Sequence, residues 1–280
     1  MKHRKFKIGF VRGSFFVALL LLIASWSFIF TIEDADFFGL FSEKNRQYTL
    51  EFFQNMLGVN AENPAFTSLE SWEMAAKLSW DTLVMSVMAV GFATTGMILT
   101  VIPAARTAAN GRLTLKKTWY GWIVYGIIRL AYIFSRAIPE LIWAMMIIFI
   151  FKPGILPGAI ALALHNFGIL GKLCAETIED IDLRPVRSLA SSGAKKSQIF
   201  LYGLFPTVFS KFITYIVYRW EVIIRTTVVV GFVGAGGLGH QFKLSMSWFH
   251  YTEVTLFLFC YLILVLIVDL ISEGMRRITR

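Results

Sequence analysis

Eight polar residues stand inside runs that are otherwise almost wholly apolar: Arg129, Arg136, Glu140, His165, Asn166, Arg219, Glu221 and Arg225. Guanidinium groups bind phosphoryl and carboxyl oxygens in a forked geometry. Carboxylates and imidazole relay protons, and opposite charges in pairs fix helices to one another. An ionisable group at the centre of a membrane helix costs about 2.5–3.5 kcal/mol, so each needs a partner or a task. Glu221 and Arg225 are one helical turn apart with the acid N-terminal, the order that favours pairing. Arg129, Arg136 and Glu140 fall on one helical stripe, so Arg136 and Glu140 can pair likewise. Arg219 points away from Glu221 and Arg225. With both pairs neutralised, Arg129 and Arg219 remain as unpaired positive charge, which suits an anionic substrate. The competing reading is structural: interhelical ion pairs that fix packing. His165 and Asn166 invite the same two readings, a hydrogen bond to a neighbouring helix or a contact with substrate. No histidine or cysteine cluster has metal-ligand spacing, and no catalytic constellation is visible.

The elements that carry these residues are membrane spans. Of the 280 residues, 56% are hydrophobic and 16% are charged, against about 25% charged in an average soluble domain. Several apolar runs reach the ~20 residues that cross a bilayer. The net charge of +9 reflects basic loops and tails on the cytoplasmic side rather than nucleic-acid binding. Lys2, Arg4, Lys5, Lys7 and Arg12 place the N-terminus inside, and Arg276, Arg277 and Arg280 place the C-terminus there. Six spans satisfy the charge bias of every loop: 14–32, 79–103, 119–151, 155–177, 207–232 and 253–273. The first is too long for a signal peptide and lacks a small-residue cleavage pattern, so it reads as retained. The connection 33–78 is rich in acids and reads as external, with interfacial helices at Tyr48–Leu57 and Ser68–Leu78. The 119–151 segment is too long for one straight crossing. Pro139 frees the carbonyl near Ser135, which predicts a kink.

Two stretches stand out between the spans. The run 179–206 is a long polar loop with helix signals of its own: Asp182 as N-cap, Pro185 in the first turn and Gly193 as the stop. Val186, Leu189, Ala190 and Ala194 recur on one face. Ser188, Ser191, Ser192 and Gly193 keep the other face small, as a helix that docks into a groove requires. A solvated loop with an interfacial helix is the alternative. The second stretch runs from Gly231 to Gly239. Its Gly234, Gly236 and Gly239 have dinucleotide-loop spacing, but no strand precedes them. It reads instead as a tight turn at the outer end of the fifth span, an external gate or a contact for an outside partner built on Gly234, Gly236, Gly237 and Gly239.

The polar loop resembles the Glu-Ala-Ala loop of binding-protein-dependent ABC importer permeases. Gly193 and Pro206 fall at the family's spacing, while Arg187, Ser188 and Leu189 occupy its Glu-Ala-Ala positions. Arg136–Trp143, Ala161–Lys172, Tyr218–Glu221 and Gly231–Gly239 look like the phosphonate-type permease, and the likeness covers roughly residues 75–275. It implies an all-α fold of six transmembrane helices with a cytoplasmic coupling helix, divided into 1–78, a permease domain 79–275 and a tail 276–280. It further implies a homodimer in the bacterial inner membrane, a cytosolic ABC ATPase dimer and an external substrate-binding protein. ATP and magnesium would sit on the ATPase, since this chain has no phosphate-binding Gly-Lys-Ser/Thr loop. The coupling residues carried over are Arg187, Ser188, Leu189, Ser191, Gly193, Ala194, Lys195 and Pro206, with Arg187 reversing the family's acidic charge. The cargo implied is phosphonate or a related phosphorus oxyanion, moved inward by alternating access. From the residues alone, an ion-coupled carrier with Glu140 and Glu221 as relay remains a second reading, and a lipid-processing membrane enzyme a third.

Overall fold

The computed structural model describes residues 10–31, 39–59, 61–113 and 118–278. Their regular structure is all helix, with no strand among the described residues, and the chain divides into two units, 1–55 and 56–280. The first unit holds α1 (Phe10–Thr31), an apolar helix long enough to cross a membrane, and α2 (Glu43–Met56). Lys2, Arg4, Lys5, Lys7, the acids Glu33, Asp34 and Asp36, and Arg280 lie outside the described residues, whereas Arg12 falls in α1.

The second unit begins with α3 (Leu69–Thr100). The expected short interfacial helix at 68–78 is absent as a separate element. It forms the first turns of α3, because no proline or glycine interrupts the chain before Gly91. A one-turn helix, α4 (Arg106–Ala109), follows. Then come α5 (Trp119–Ala137), α6 (Glu140–Phe151) and α7 (Ile155–Glu179). The polar loop contains α8 (Arg184–Ser191) and the short α9 (Lys196–Gln198). A π-helical segment, Ile199–Leu204, leads from α9 into α10 (Phe205–Val230). A second wide turn, Gly231–Ala235, separates α10 from α11 (Gly237–Ser247), and α12 (Tyr251–Ile278) closes the chain.

Among the described residues five helical segments are long and apolar enough to span: α1, α3, α7, the 199–235 segment and α12. The bent pair α5–α6 makes a sixth when counted as one crossing. The break between α5 and α6 measures 93°. Pro139 lacks an amide hydrogen and pushes the residue before it into extended backbone. Ile138 accordingly has φ −86° and ψ 121°. The kink predicted from Pro139 is therefore a right-angle turn.

α7 is the centre of this unit. It buries 61% of its most apolar stretch, against 33% for α3 and 28% for α12. Its sequence explains this, since glycine and alanine let neighbouring backbones approach closely in lipid. A Cβ on Gly168 would lie 2.5 Å from the Tyr132 carbonyl oxygen, and one on Gly171 would lie 2.3 Å from the Tyr132 ring. Tyr132 itself is buried and its hydroxyl meets that of Thr100 at 2.7 Å. The α5–α7 crossing thus also fixes the end of α3. Gly171→Ala is expected to overpack this crossing at a cost of about 1–3 kcal/mol. Gly91→Ala, whose Cβ meets nothing within 4 Å, should not lower stability and is expected to raise it by up to about 1 kcal/mol, because alanine favours a helix interior over glycine. Thermal unfolding of the purified protein in detergent checks both.

Candidate functional site

The polar loop builds a helix with two unlike faces. The N-cap position is held by Leu183 rather than by the expected Asp182, which lies one residue further out and whose carboxylate accepts from the Arg184 amide at 2.9 Å. Pro185 lies in the first turn. At the far end the Gly193 amide donates to the Ala190 carbonyl and the Ala194 amide to Leu189, both at 3.1 Å. With Gly193 at φ +81°, this is a Schellman stop, which favours glycine at that position. Val186 is buried, and Leu189, Ala190 and Ala194 pack on the same cluster, which includes Ala104, Ala175, Ile178 and Leu204. Gly203 gives the helix room, since a Cβ there would lie 3.1 Å from Leu189. Arg184, Pro185, Arg187, Ser188, Ser191, Ser192, Gly193 and Lys195 are left exposed. Among the described residues nothing beyond its chain neighbours comes within 4 Å of a Cβ on Gly193. Leu189 and Ala194 face inward, so only the small and basic side is available to a partner. Pro206 falls in the first turn of α10, directly after the π-helical segment Ile199–Leu204.

Seven of the eight intramembrane polar residues separate into three groups, while Arg136, half-buried near the end of α5, makes no ion pair or side-chain hydrogen bond among the described residues. The first surrounds the α5–α6 break. Proline frees the Ser135 carbonyl, and the Trp143 indole donates to it at 3.0 Å. His165 Nδ1 lies 2.8 Å from the Ile138 carbonyl, and its Nε2 lies 3.2 Å from the Glu140 carboxylate. Ser135 Oγ donates to the Leu164 carbonyl. Beside His165, buried Asn166 accepts from Arg219 through both Nε, at 2.8 Å, and Nη2. Its own amide donates back to Leu162 at 2.7 Å. Glu140 is also within electrostatic range of Arg219. The expected Arg136–Glu140 pair does not form. The 93° break takes the two residues off one stripe, and His165 occupies the carboxylate instead.

The second group joins α10 to α12. Arg225 contacts Glu221 at 3.0 Å, as its spacing predicts, and Asp269 at 2.8 Å. Arg276 meets the other Glu221 oxygen at 2.8 Å, and Ser272 donates to it at 3.2 Å. Arg219 faces α7, away from this network, again as predicted.

The third group corrects the reading of Arg129 as an unpaired charge. Its Nη2 pairs with Glu179, its Nε donates to the Ala104 carbonyl at 2.8 Å, and Glu176 lies 3.8 Å away. Glu179, Asp269 and Arg276 carry no signal in local spacing. They come from other helices, and helical periodicity reports only on neighbours within a turn or two.

The glycine run forms the predicted tight turn. Gly234, Gly236 and Gly237 have φ of +105°, +87° and +66°. Gly237 and Gly239 are buried, and a Cβ on them would meet Thr82 Oγ1 at 2.6 Å and the Val228 carbonyl at 2.2 Å. Packing accounts for these two. The Leu238 amide donates to Thr82 at 2.9 Å. Gly234 and Gly236 lie half-buried beside Pro153 and Ile155. Among the described residues no group of histidine, cysteine, aspartate and glutamate could hold a metal ion.

Residues 101–279 match the model of the family described as binding-protein-dependent transport system inner membrane component. The phosphite transport system permease protein PtxC of Stutzerimonas stutzeri is 34% identical over 79% of this chain and 76% of its own length. The phosphate-import permease protein PhnE of Mycolicibacterium smegmatis is 32% identical over 72% of this chain and 36% of its own. The fold is similar to that of a chain of the MetNI methionine ABC transporter in an inward-facing crystal form, with TM-score 0.64 and 16% identity. That match covers 76% of this chain and 99% of the other.

His165→Phe fills a similar space but leaves the Ile138 carbonyl and Glu140 without their partner. Leaving a buried polar group unsatisfied costs about 1–3 kcal/mol. The variant is expected to unfold at lower temperature than the parent in detergent. An unchanged midpoint would show that the break is held without His165.

Proposed function

The chain belongs to the family of binding-protein-dependent transport system inner membrane components, and on that footing we propose that it is the permease subunit of an ATP-driven importer for a phosphorus oxyanion. It works as one of two copies, with a pair of cytosolic ATPase subunits that hold ATP and magnesium, and an external binding protein that delivers the ligand. Both termini and the α8 end of the bundle face the cytoplasm. The turn at Gly234 and Gly236 faces outward and serves as the gate or the binding protein's contact. Transport proceeds by alternating access. Closure of the ATPase pair moves α8, and the helices packed on α8 open the path.

The observation that carries this reading is α8. One face is anchored in the chain's own core and the other is free, small and basic. A solvated loop would need neither the Schellman stop nor the buried Val186. The reading of the cargo is supported by the relatives, whose names refer to phosphite and phosphate, and by Arg219. That guanidinium is held by a neutral amide rather than a carboxylate, so its positive charge is not cancelled by its direct partner. The ion-coupled reading needs a free carboxylate to carry protons. Glu140 is held by His165, and Glu221 by Arg225 and Arg276, which favours the ATP-driven reading.

Uptake of labelled phosphite into liposomes holding permease, ATPase and binding protein tests the proposal. Gly193→Asp should reduce ATP-dependent uptake to background while the permease stays folded in the membrane: the added carboxylate meets nothing among the described residues, and aspartate tolerates the left-handed backbone at φ +81° better than most residues, so the strain stays local to the stop of α8. Arg219→Ala should lower uptake by roughly ten- to hundredfold, the range for losing a hydrogen bond to a charged group. Normal uptake by Gly193→Asp would remove α8 from the coupling path. Normal uptake by Arg219→Ala would remove the anion contact.

A further inference from the structure

The α8 end of the bundle contains a closed ring of directional bonds. Glu179 is the last residue of α7, and α8 begins at Arg184. One oxygen of Glu179, Oε1, accepts from two donors: the Arg106 amide at 2.7 Å and Nη2 of Arg129. Arg129 Nε donates in turn to the Ala104 carbonyl at 2.8 Å. Ala104 and Arg106 lie on the turn that leaves α3, and Arg129 belongs to α5. The ring therefore ties the end of α7 to α5 and to the segment after α3. Its two charged side chains are only 17% and 24% exposed, so water screens them weakly. The Tyr125 ring lies 5.5 Å from the Arg129 guanidinium carbon and backs it. Glu176 is a looser neighbour, at 3.8 Å from Arg129 and 3.6 Å from Lys172.

Apolar packing alone holds helices together but lets them slide and rotate against one another. Directional bonds to backbone groups fix register as well as distance. The buried face of α8 rests on the cluster that contains Ala104 and Ala105, the same turn that the ring holds. A displacement of α8 thus reaches α7 through the short chain link, and the α3 turn through the apolar cluster that both belong to. The ring makes these one motion.

We propose that Arg129 and Glu179 form a positioning clamp that makes α7, α5 and the end of α3 follow α8 as one body, and so sets how much transport each ATP drives. This rests on the reading of α8 as the element that meets the ATPase. Neither residue touches cargo in this account, and the clamp acts through the helices it joins.

The test uses the assembled transporter in liposomes, with phosphite as the probe, and measures phosphite moved per ATP hydrolysed. Arg129→Gln and Glu179→Gln should assemble with the ATPase and hydrolyse ATP. Transport per ATP should fall roughly tenfold, the upper part of the range for removing a coupling contact. The exchanged pair, Arg129→Glu with Glu179→Arg, restores the ion pair but neither the bond to the Arg106 amide nor that to the Ala104 carbonyl, so its ratio should stay as low as in the single variants, and full recovery would overturn the role given to the backbone bonds. An unchanged ratio in both single variants overturns the clamp and leaves the role of α8 standing. Absence of ATP-dependent uptake in the parent protein overturns the underlying reading and the clamp with it. Should Glu179→Gln not be recovered from the membrane, Arg129→Lys decides. It keeps the charge and loses the fork, so an intermediate ratio supports the clamp and a parental ratio refutes it.

Discussion

A backbone amide or carbonyl inside a bilayer has no water to turn to, and the protein must satisfy it internally. The break at Pro139 concentrates that demand in one place. Proline removes the amide that the Ser135 carbonyl would have used, and the right-angle turn frees the Ile138 carbonyl as well. Trp143 answers the first and His165 the second. His165 sits on α7, so the break can exist only where α7 lies close against it. Close approach in turn requires Gly168 and Gly171. The arrangement of α5, α6 and α7 follows from one missing hydrogen and from the small residues that bring a donor within reach.

The charged residues obey the same constraint with larger stakes. Each would cost about 2.5–3.5 kcal/mol alone in a span, and most are engaged. Glu140 is met by His165, Glu221 by Arg225 and Arg276, and Arg129 by Glu179. Arg219 differs because its partner is the neutral side chain of Asn166. Neutralised pairs build the frame, and a cation held by an amide is the group best placed to meet an anion. The division between frame and path is thus a division in how charges are compensated.

Local signals reveal the features that depend on neighbours along one helix. The long apolar spans, the kink at Pro139, the Glu221–Arg225 pair, the direction of Arg219 and the stop at Gly193 are all of this kind. Partners on separate helices were not legible. Arg129 and Glu179 are 50 residues apart, Asn166 and Arg219 are 53, and Glu221 and Arg276 are 55. No periodicity links such positions. The Arg136–Glu140 expectation failed for a related reason. It assumed one continuous helix, and the same proline that predicted a bend rotated the two residues apart. The start of α3 at Leu69 was hidden because its first turns are polar while its helix is unbroken.

The central claim is that the exposed face of α8 meets the subunit that hydrolyses ATP. Its most direct test is a photoreactive residue placed at Ser188 in the assembled transporter, with the captured peptide identified by mass spectrometry. The account predicts a cross-link to a subunit bearing a Gly-Lys-Ser/Thr phosphate-binding loop, with a yield that changes when ATP is added. A label that reacts only with lipid or with its own chain, in a transporter that still imports phosphite with ATP, would contradict it.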